Sequence, residues 1–275
     1  MTETTTPILL LGAGRMGGAM IEGWRLAGAF APDQLIIREP SPGPGVLQAE
    51  RDGARLNPPD AVLAEARTVL MALKPQLWRG ATEGLAGHLH PEAVIVSIAA
   101  GVPAADLAQV FAGHPVARVM PTTAVAIGKG VASVFATDPA ARARAHALFD
   151  PVATAVDLEQ EALIDAATAV SGSAPAYWYA LIEALEAAGE AQGLPREAAK
   201  ALVRATMVGA GALLAHTGEE PAELRRQVTS PGGTTQAALD VLMADAAFPR
   251  LAAEAVAAAV RRAKELGAPA PLPAP

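Results

Sequence analysis

The chain predicts an α/β fold: a doubly wound, mainly parallel sheet over residues 1–159, followed by an all-α domain over residues 160–275. Three observations carry this reading. Short apolar runs alternate with helical segments along the first part of the chain. A glycine-rich turn stands directly behind the first run. Strand signals vanish after residue 159, where alanine-rich helical sequence takes over.

Residues 8–11 (Ile-Leu-Leu-Leu) read as the first strand and 16–26 as the helix after it. Further strands are expected at 35–38, 68–73, 94–98 and 116–120, with helical segments near 59–66, 78–89 and 104–112 between them. Two more strands, 131–136 and 154–157, flank an alanine- and arginine-rich helix at 139–148. In the second domain the helical sequence is broken at 171–175, 193–195, 217–221 and 229–233. The helix over 176–191 carries Tyr179, Ile182, Leu185, Ala188 and Gly189 near helical spacing, and 201–214 is small or apolar on nearly every face. A helix apolar all round must be buried on all sides, which a domain of about 110 residues manages poorly alone. Homodimerisation is the economical solution, and a compact monomeric bundle is the alternative. Residues 268–275 alternate alanine with proline and are expected to be disordered.

Composition narrows the function. With 275 residues, two ordinary domains are expected. Apolar residues make up 52%, much of it alanine, and no stretch approaches the roughly 18 uncharged apolar residues of a bilayer span, so no membrane partner is expected. Residues 1–7 are polar, without a basic region or an apolar signal core, which points to the cytoplasm. The absence of cysteine excludes disulfides, thiolate catalysis and cysteine-ligated zinc. Of the five histidines only His88 and His90 are close, beside Pro91 and without a third ligand at metal spacing, so no metal site is expected. A net charge of −7 with no basic cluster argues against nucleic acid and leaves a small molecule as the expected substrate.

Gly12-Ala13-Gly14-Arg15-Met16-Gly17 follows the first strand and opens a helix, the order that a dinucleotide pyrophosphate requires. Gly12 allows the tight turn, Gly14 removes a Cβ that would block the phosphates, and Gly17 lets the helix lie close on the strand. The N–H groups of the first helical turn, Arg15 and Met16 included, then face the diphosphate. Glu39 lies 22 residues beyond Gly17, at the end of the second strand. A carboxylate there hydrogen-bonds an adenosine ribose and repels a 2′-phosphate, which favours NADH. Arg38 and Ser41 keep NADPH open, and a Glu39 that points into solvent would discriminate nothing.

Two further turns fall at the carboxyl edge of the sheet, where open α/β sheets bind ligands. Ala72, Lys74 and Pro75 follow the third strand, and Ala99, Ala100 and Gly101 follow the fourth, small enough for a flat nicotinamide to approach. Ordinary strand-to-helix turns account for both as well as cofactor contact does, and Lys74 is given no catalytic role. Residues 228–240 form the second unusual segment, whose hydroxyls and glycines ahead of a helix make a nest of N–H donors suited to a small carboxylate. Residues 171–177 form a similar break, read from spacing alone as a kink between packed helices.

At these loops the chain resembles the pyrroline-5-carboxylate reductases, over residues 8 to about 266. The resemblance rests on residues 12–17, 72–76, 97–102, 171–177 and 228–240, the last being highly specific. It implies a Rossmann domain, a helical dimerisation domain and often a ring of dimers. It also implies reduction of 1-pyrroline-5-carboxylate to L-proline with NADPH or NADH. Ser230, Gly233, Thr234 and Thr235 would then cradle the substrate, with the Thr235 hydroxyl near the ring nitrogen. Two positions depart from the family pattern. Met-Pro-Asn-Thr-Pro is here Met120-Pro121-Thr122-Thr123-Ala124, which alters the cofactor contact expected at Thr122, and Ser-Gly-Ser-Gly-Pro is here Ser171-Gly172-Ser173-Ala174-Pro175. Rival readings are a β-hydroxyacid dehydrogenase or imine reductase of related layout, and a nucleotide-sensing regulator without turnover. The first class uses a helical lysine, whereas Lys200 and Lys264, the only lysines after Lys129, lie outside any glycine-rich motif. The second leaves residues 230–235 unexplained.

Overall fold

A computed structural model describes residues 5–267. The tail expected to be disordered, 268–275, lies outside them, as do residues 1–4. The chain divides into two compact units, one running to Gly172 and resuming at Ala259, the other spanning Ser173–Ala258.

The first unit is built on eight strands: β1 (Ile8–Leu11), β2 (Leu35–Arg38), β3 (Arg55–Leu56), β4 (Thr68–Met71), β5 (Val94–Ser97), β6 (Val116–Pro121), β7 (Gly130–Phe135) and β8 (Ala153–Asp157). Their order in the sheet is β3-β2-β1-β4-β5-β6-β7-β8, and every pairing is parallel except β6 with β7. The helices are α1 (Arg15–Ala27), α2 (Pro44–Arg51), α3 (Trp78–Thr82), α4 (Ala104–Val110), α5 (Pro139–Phe149) and the short α6 (Leu163–Ala167). β1 has β2 on one side and β4 on the other, in register Ile8↔Leu35 and Ile8↔Thr68. The chain winds outward in both directions from β1, and the glycine turn at its carboxyl end lies at the switch point where open sheets take ligands.

Both faces of the sheet are covered, so β1 and the runs Val69–Met71 and Val94–Val96 are apolar at successive positions rather than at alternate ones. Ile8 and Leu10 pack with Met20, Trp24 and Phe149 on one side, while Leu9 and Leu11 pack with Trp78, Leu107 and Phe111 on the other. Trp24 is 1% exposed, yet its indole N–H donates to the Leu148 carbonyl at 2.8 Å, so burial leaves no polar atom unmatched there.

Three local expectations need correction. The helix expected near 78–89 is α3 plus a separate 3-10 turn at Leu85–His88, split by Gly84 at φ +73. The segment near 59–66 is a 3-10 turn, Asp60–Glu65. α2 and the edge strand β3 had no counterpart among the expected elements, because α2 is short and mostly polar and β3 is two residues long.

In the second unit α7 (Ala174–Ala191) packs on α8 (Arg196–Thr217), followed by α9 (Pro221–Gln227), α10 (Thr234–Leu242) and α11 (Ala247–Gly267), which runs on past the unit. Helices break where glycine, proline and hydroxyls cluster, and the chain also turns at Ala244–Ala246, where Asp245 takes φ +48. α8 corrects the expectation about apolar stretches: its 22 residues are long and apolar enough to cross a bilayer, because Lys200 and Arg204 lie near one end and no charge follows through Leu214. Among residues 173–258 Ala199 alone is buried, while Tyr179, Val208 and Leu251 are largely exposed. One copy of this unit does not cover its own apolar faces.

Candidate active site

The first cleft opens at the carboxyl ends of β1, β2 and β4 and encloses about 710 Å³. Gly12, Gly14, Glu39, Ala72 and Lys74 line it, five of the residues expected to meet a cofactor. Gly12 holds φ +83, and a Cβ on it would come within 2.9 Å of the Ala72 carbonyl oxygen, so only glycine fits. A Cβ on Gly17 would stand 2.3 Å from the Gly12 carbonyl oxygen, which fixes α1 against the turn. A Cβ on Gly14 would meet nothing within 4 Å, because its Cα faces the open cleft. α1 has no side-chain cap and no acidic residue in its first turn. Its leading N–H groups are therefore kept for an anion, as a diphosphate requires. The turn fits a dinucleotide.

Glu39 does not point idly into solvent. One carboxylate oxygen accepts from the Ala13 N–H at 2.7 Å and the other from the Ser41 N–H at 2.9 Å. Its backbone is clamped by Asn57, whose side chain accepts from the Glu39 N–H at 3.0 Å and donates to the Glu39 carbonyl at 2.9 Å. Asn57 achieves this at φ +46, a left-handed conformation that asparagine tolerates better than most residues. Asn57 went unnoticed in the sequence, where its one signal is a turn-forming residue ahead of Pro58 and Pro59.

The remaining expected cofactor residues lie outside the residues lining this cleft. Arg15 is exposed and Met16 half-buried in the first turn of α1, and Pro75 follows Lys74 in the turn after β4. Ala99 is buried, and its N–H donates to the Ser97 hydroxyl at 3.3 Å, while Ala100 is exposed beside Gly101 at φ +72. Thr122 is 7% exposed, and its hydroxyl accepts from the Val131 N–H at 3.0 Å, holding β7 rather than facing open space. Glu161 also escaped the sequence reading. One oxygen accepts from the buried Arg118 at 2.6 Å and from the Ala104 N–H at 2.7 Å, at the start of the helix behind Gly101. Among the described residues no three His, Cys, Asp or Glu side chains gather as a metal site would require.

The second unit brings Ser230, Gly233, Thr234 and Thr235 together at the amino end of α10. The Gly233 N–H donates to the Ser230 carbonyl at 3.0 Å, Gly232 takes φ +70, and a Cβ on Gly233 would stand 2.6 Å from the Ser230 hydroxyl. No side chain caps α10. A cleft of about 710 Å³ lies alongside, lined by Arg225, Thr229, Gln236 and Asp240 among others. The Thr229 hydroxyl donates to the Arg225 carbonyl at 2.6 Å, and Gln236 is tied to Asp240 at 2.7 Å. Small hydroxyls, a glycine turn and an uncapped nine-residue helix together suit a small carboxylate.

Comparison with known proteins decides the family. A profile described as pyrroline-5-carboxylate reductase dimerisation matches residues 161–266, and one described as NADP oxidoreductase, coenzyme F420-dependent, matches residues 7–101. The pyrroline-5-carboxylate reductase of Pseudomonas aeruginosa is 39% identical over 96% of this chain and 97% of its own. The chain belongs to the pyrroline-5-carboxylate reductase family. Among solved structures of that family, the enzyme of Coxiella burnetii superposes with a TM-score of 0.87 at 30% identity, over 95% of this chain and 98% of the other. That of Plasmodium falciparum, solved with NADP bound, gives 0.81 at 25% identity over 96% and 98%. The fold is therefore a Rossmann sheet domain followed by a helical dimerisation domain, as the resemblance implied.

Proposed function

We propose that this chain reduces 1-pyrroline-5-carboxylate to L-proline as a soluble, cytoplasmic homodimer able to join others in a ring of dimers. The observation that carries the reading is the hydroxyl-rich turn ahead of α10 in a family member that also keeps the dinucleotide cleft. Gly12, Gly14, Arg15, Met16, Gly17, Glu39, Ala72, Lys74, Pro75, Ala99, Ala100, Gly101 and Thr122 are assigned to the cofactor; the fit of Gly12, Gly14 and Gly17 supports this. NADPH or NADH supplies the hydride when bound.

Ser230, Gly233, Thr234 and Thr235 bind the substrate. The N–H groups at the start of α10 and the Ser230 and Thr234 hydroxyls take its carboxylate, and the Thr235 hydroxyl meets the ring nitrogen. A cyclic imine is protonated far more readily than a ketone, so the substrate arrives with its own proton on nitrogen. The enzyme then needs no strong general acid, and the site residues include no histidine. The chain's main task is to hold the imine carbon at attack distance, and such positioning is worth on the order of 7–11 kcal/mol. We keep the boundary near residue 159 read from the sequence, with support from the start of the dimerisation match at residue 161, although the compact units divide later, at Gly172. The uncovered apolar residues of α7 and α8 support the dimer.

The test is steady-state reduction of the cyclic imine followed by nicotinamide absorbance. Thr235→Ala is expected to lower kcat/KM about 10²-fold, the size of loss that a mispositioned ring gives, while NADH affinity stays put. An unchanged rate would remove Thr235 from the mechanism.

A further inference from the structure

The turn after β2 is laid out so that a 2′-phosphate would find its donors taken. At the end of that strand two cationic or N–H groups stand where an adenosine 2′-substituent lies in folds of this kind: the Arg38 guanidinium and the Ser41 N–H. The Ser41 N–H already donates to Glu39, and the other Glu39 oxygen is held by Ala13. Arg38 donates through Nη2 to Asp60 at 2.6 Å, and its Nε is buried without a partner, beyond a ligand's reach. Asn57 fixes the Glu39 backbone through its N–H and carbonyl, and the carboxylate itself cannot swing aside without losing the Ala13 and Ser41 N–H groups.

We propose that this chain selects NADH over NADPH, with Glu39 as the specificity-determining residue and Asp60 as a positioning residue that holds Arg38 away from a 2′-phosphate. The proposal rests on the reading that the cleft takes a nicotinamide dinucleotide. A ribose 2′-hydroxyl can donate to the Glu39 carboxylate, which has lone pairs to spare beyond its two backbone donors. A 2′-phosphate brings up to two negative charges against the same carboxylate, and the cation nearest to it on the cleft wall, Arg38, is already paired with Asp60. The Ala13 and Ser41 N–H groups supply the rigidity that turns this repulsion into selection, since a mobile carboxylate would retreat into solvent.

The test is calorimetric titration of the full-length protein with NADH and NADPH, and with ADP and adenosine 2′,5′-bisphosphate as probes that lack the nicotinamide. Wild type is expected to bind NADH at least about tenfold tighter than NADPH, with the preference narrowing as salt screens the repulsion. Glu39→Gln keeps the size and removes the charge, and is expected to erase the preference through a lower Kd for NADPH. Asp60→Asn frees Arg38 and is expected to tighten NADPH and adenosine 2′,5′-bisphosphate severalfold while leaving NADH and ADP unchanged, which mere loosening of the turn would not do. Wild type binding NADPH more tightly, or both variants keeping the wild-type ratio, overturns the proposal while leaving the reduction of 1-pyrroline-5-carboxylate intact. Failure to bind either dinucleotide overturns both.

Discussion

Glu161 is expected to be among the most costly exposed-edge residues to remove, because one of its oxygens serves two elements at once. It accepts from Arg118 on β6 at 2.6 Å and from the first N–H of α4 at 2.7 Å. The Arg118 side chain is 9% exposed and that of Glu161 29%, so Glu161→Ala strands a nearly buried guanidinium beside a cavity that water can enter. Breaking a fully buried pair costs about 3–5 kcal/mol, and the open Glu161 side lowers that toward about 2–3. The orphaned Ala104 N–H adds about 1 kcal/mol, for a total near 3–4. Urea denaturation at fixed protein concentration, read by tryptophan fluorescence, measures it, since Trp24 and Trp78 are both buried in the sheet unit. Glu161→Gln keeps an acceptor and loses the charge, and is expected to lose about half as much. Arg118→Met added to Glu161→Ala is expected to recover stability, because the stranded charge is gone. A loss below about 1 kcal/mol for Glu161→Ala, or a double variant no better than the single, would refute the reasoning.

Three further outcomes are expected. Gly17→Ala places a methyl 2.3 Å from the Gly12 carbonyl oxygen, so α1 must shift off the turn; unfolding is expected to come about 1–3 kcal/mol earlier, together with weaker dinucleotide binding by titration. At His146, burial disfavours the charge, but hydrogen bonds and attraction from Asp150 and Asp157 outweigh it and raise the pKa above 6.5. This raised value stabilises the fold below pH 6.5 and the stabilisation fades as pH rises through the folded value, so a melting temperature scan should be flatter for His146→Gln than for wild type. Val208 is 73% exposed in one copy of α8, and Val208→Glu is expected to give monomers in sedimentation if that face meets a second copy.

The strands were legible because the sheet is covered on both faces: a run such as Val94-Ile95-Val96 has no polar face to confuse with a helix. Their direction was not, since the antiparallel step from β6 to β7 is made through a single 3-10 turn, Thr123–Ile127, that has no periodicity of its own. The glycines of the dinucleotide turn were legible because each answers a steric demand, which the 2.9 Å and 2.3 Å approaches at Gly12 and Gly17 now quantify. Asn57, Asp60 and Glu161 were hidden for the opposite reason. Each acts across 18, 22 or more residues of chain through one hydrogen-bonded oxygen or amide, and no local pattern marks such a partner.

The helical unit shows a different relation between sequence and structure. Its sequence lacks a polar face over residues 201–214, and the folded single chain still leaves Leu202, Val208 and Leu213 exposed. An apolar pattern that folding within one chain fails to bury is a statement about assembly rather than about the fold of the monomer. α7 makes the same point through Trp178 and Tyr179, both more than half exposed and both on a helix that the dimerisation match covers. If α7 and α8 are buried only between copies, the turn at Ser230–Thr235 that follows them in the same unit is held in shape by dimerisation. Substrate affinity should then be weaker in the monomeric Val208→Glu variant than in wild type, while dinucleotide affinity, set by β1, β2 and Glu39 within one sheet, should be unchanged.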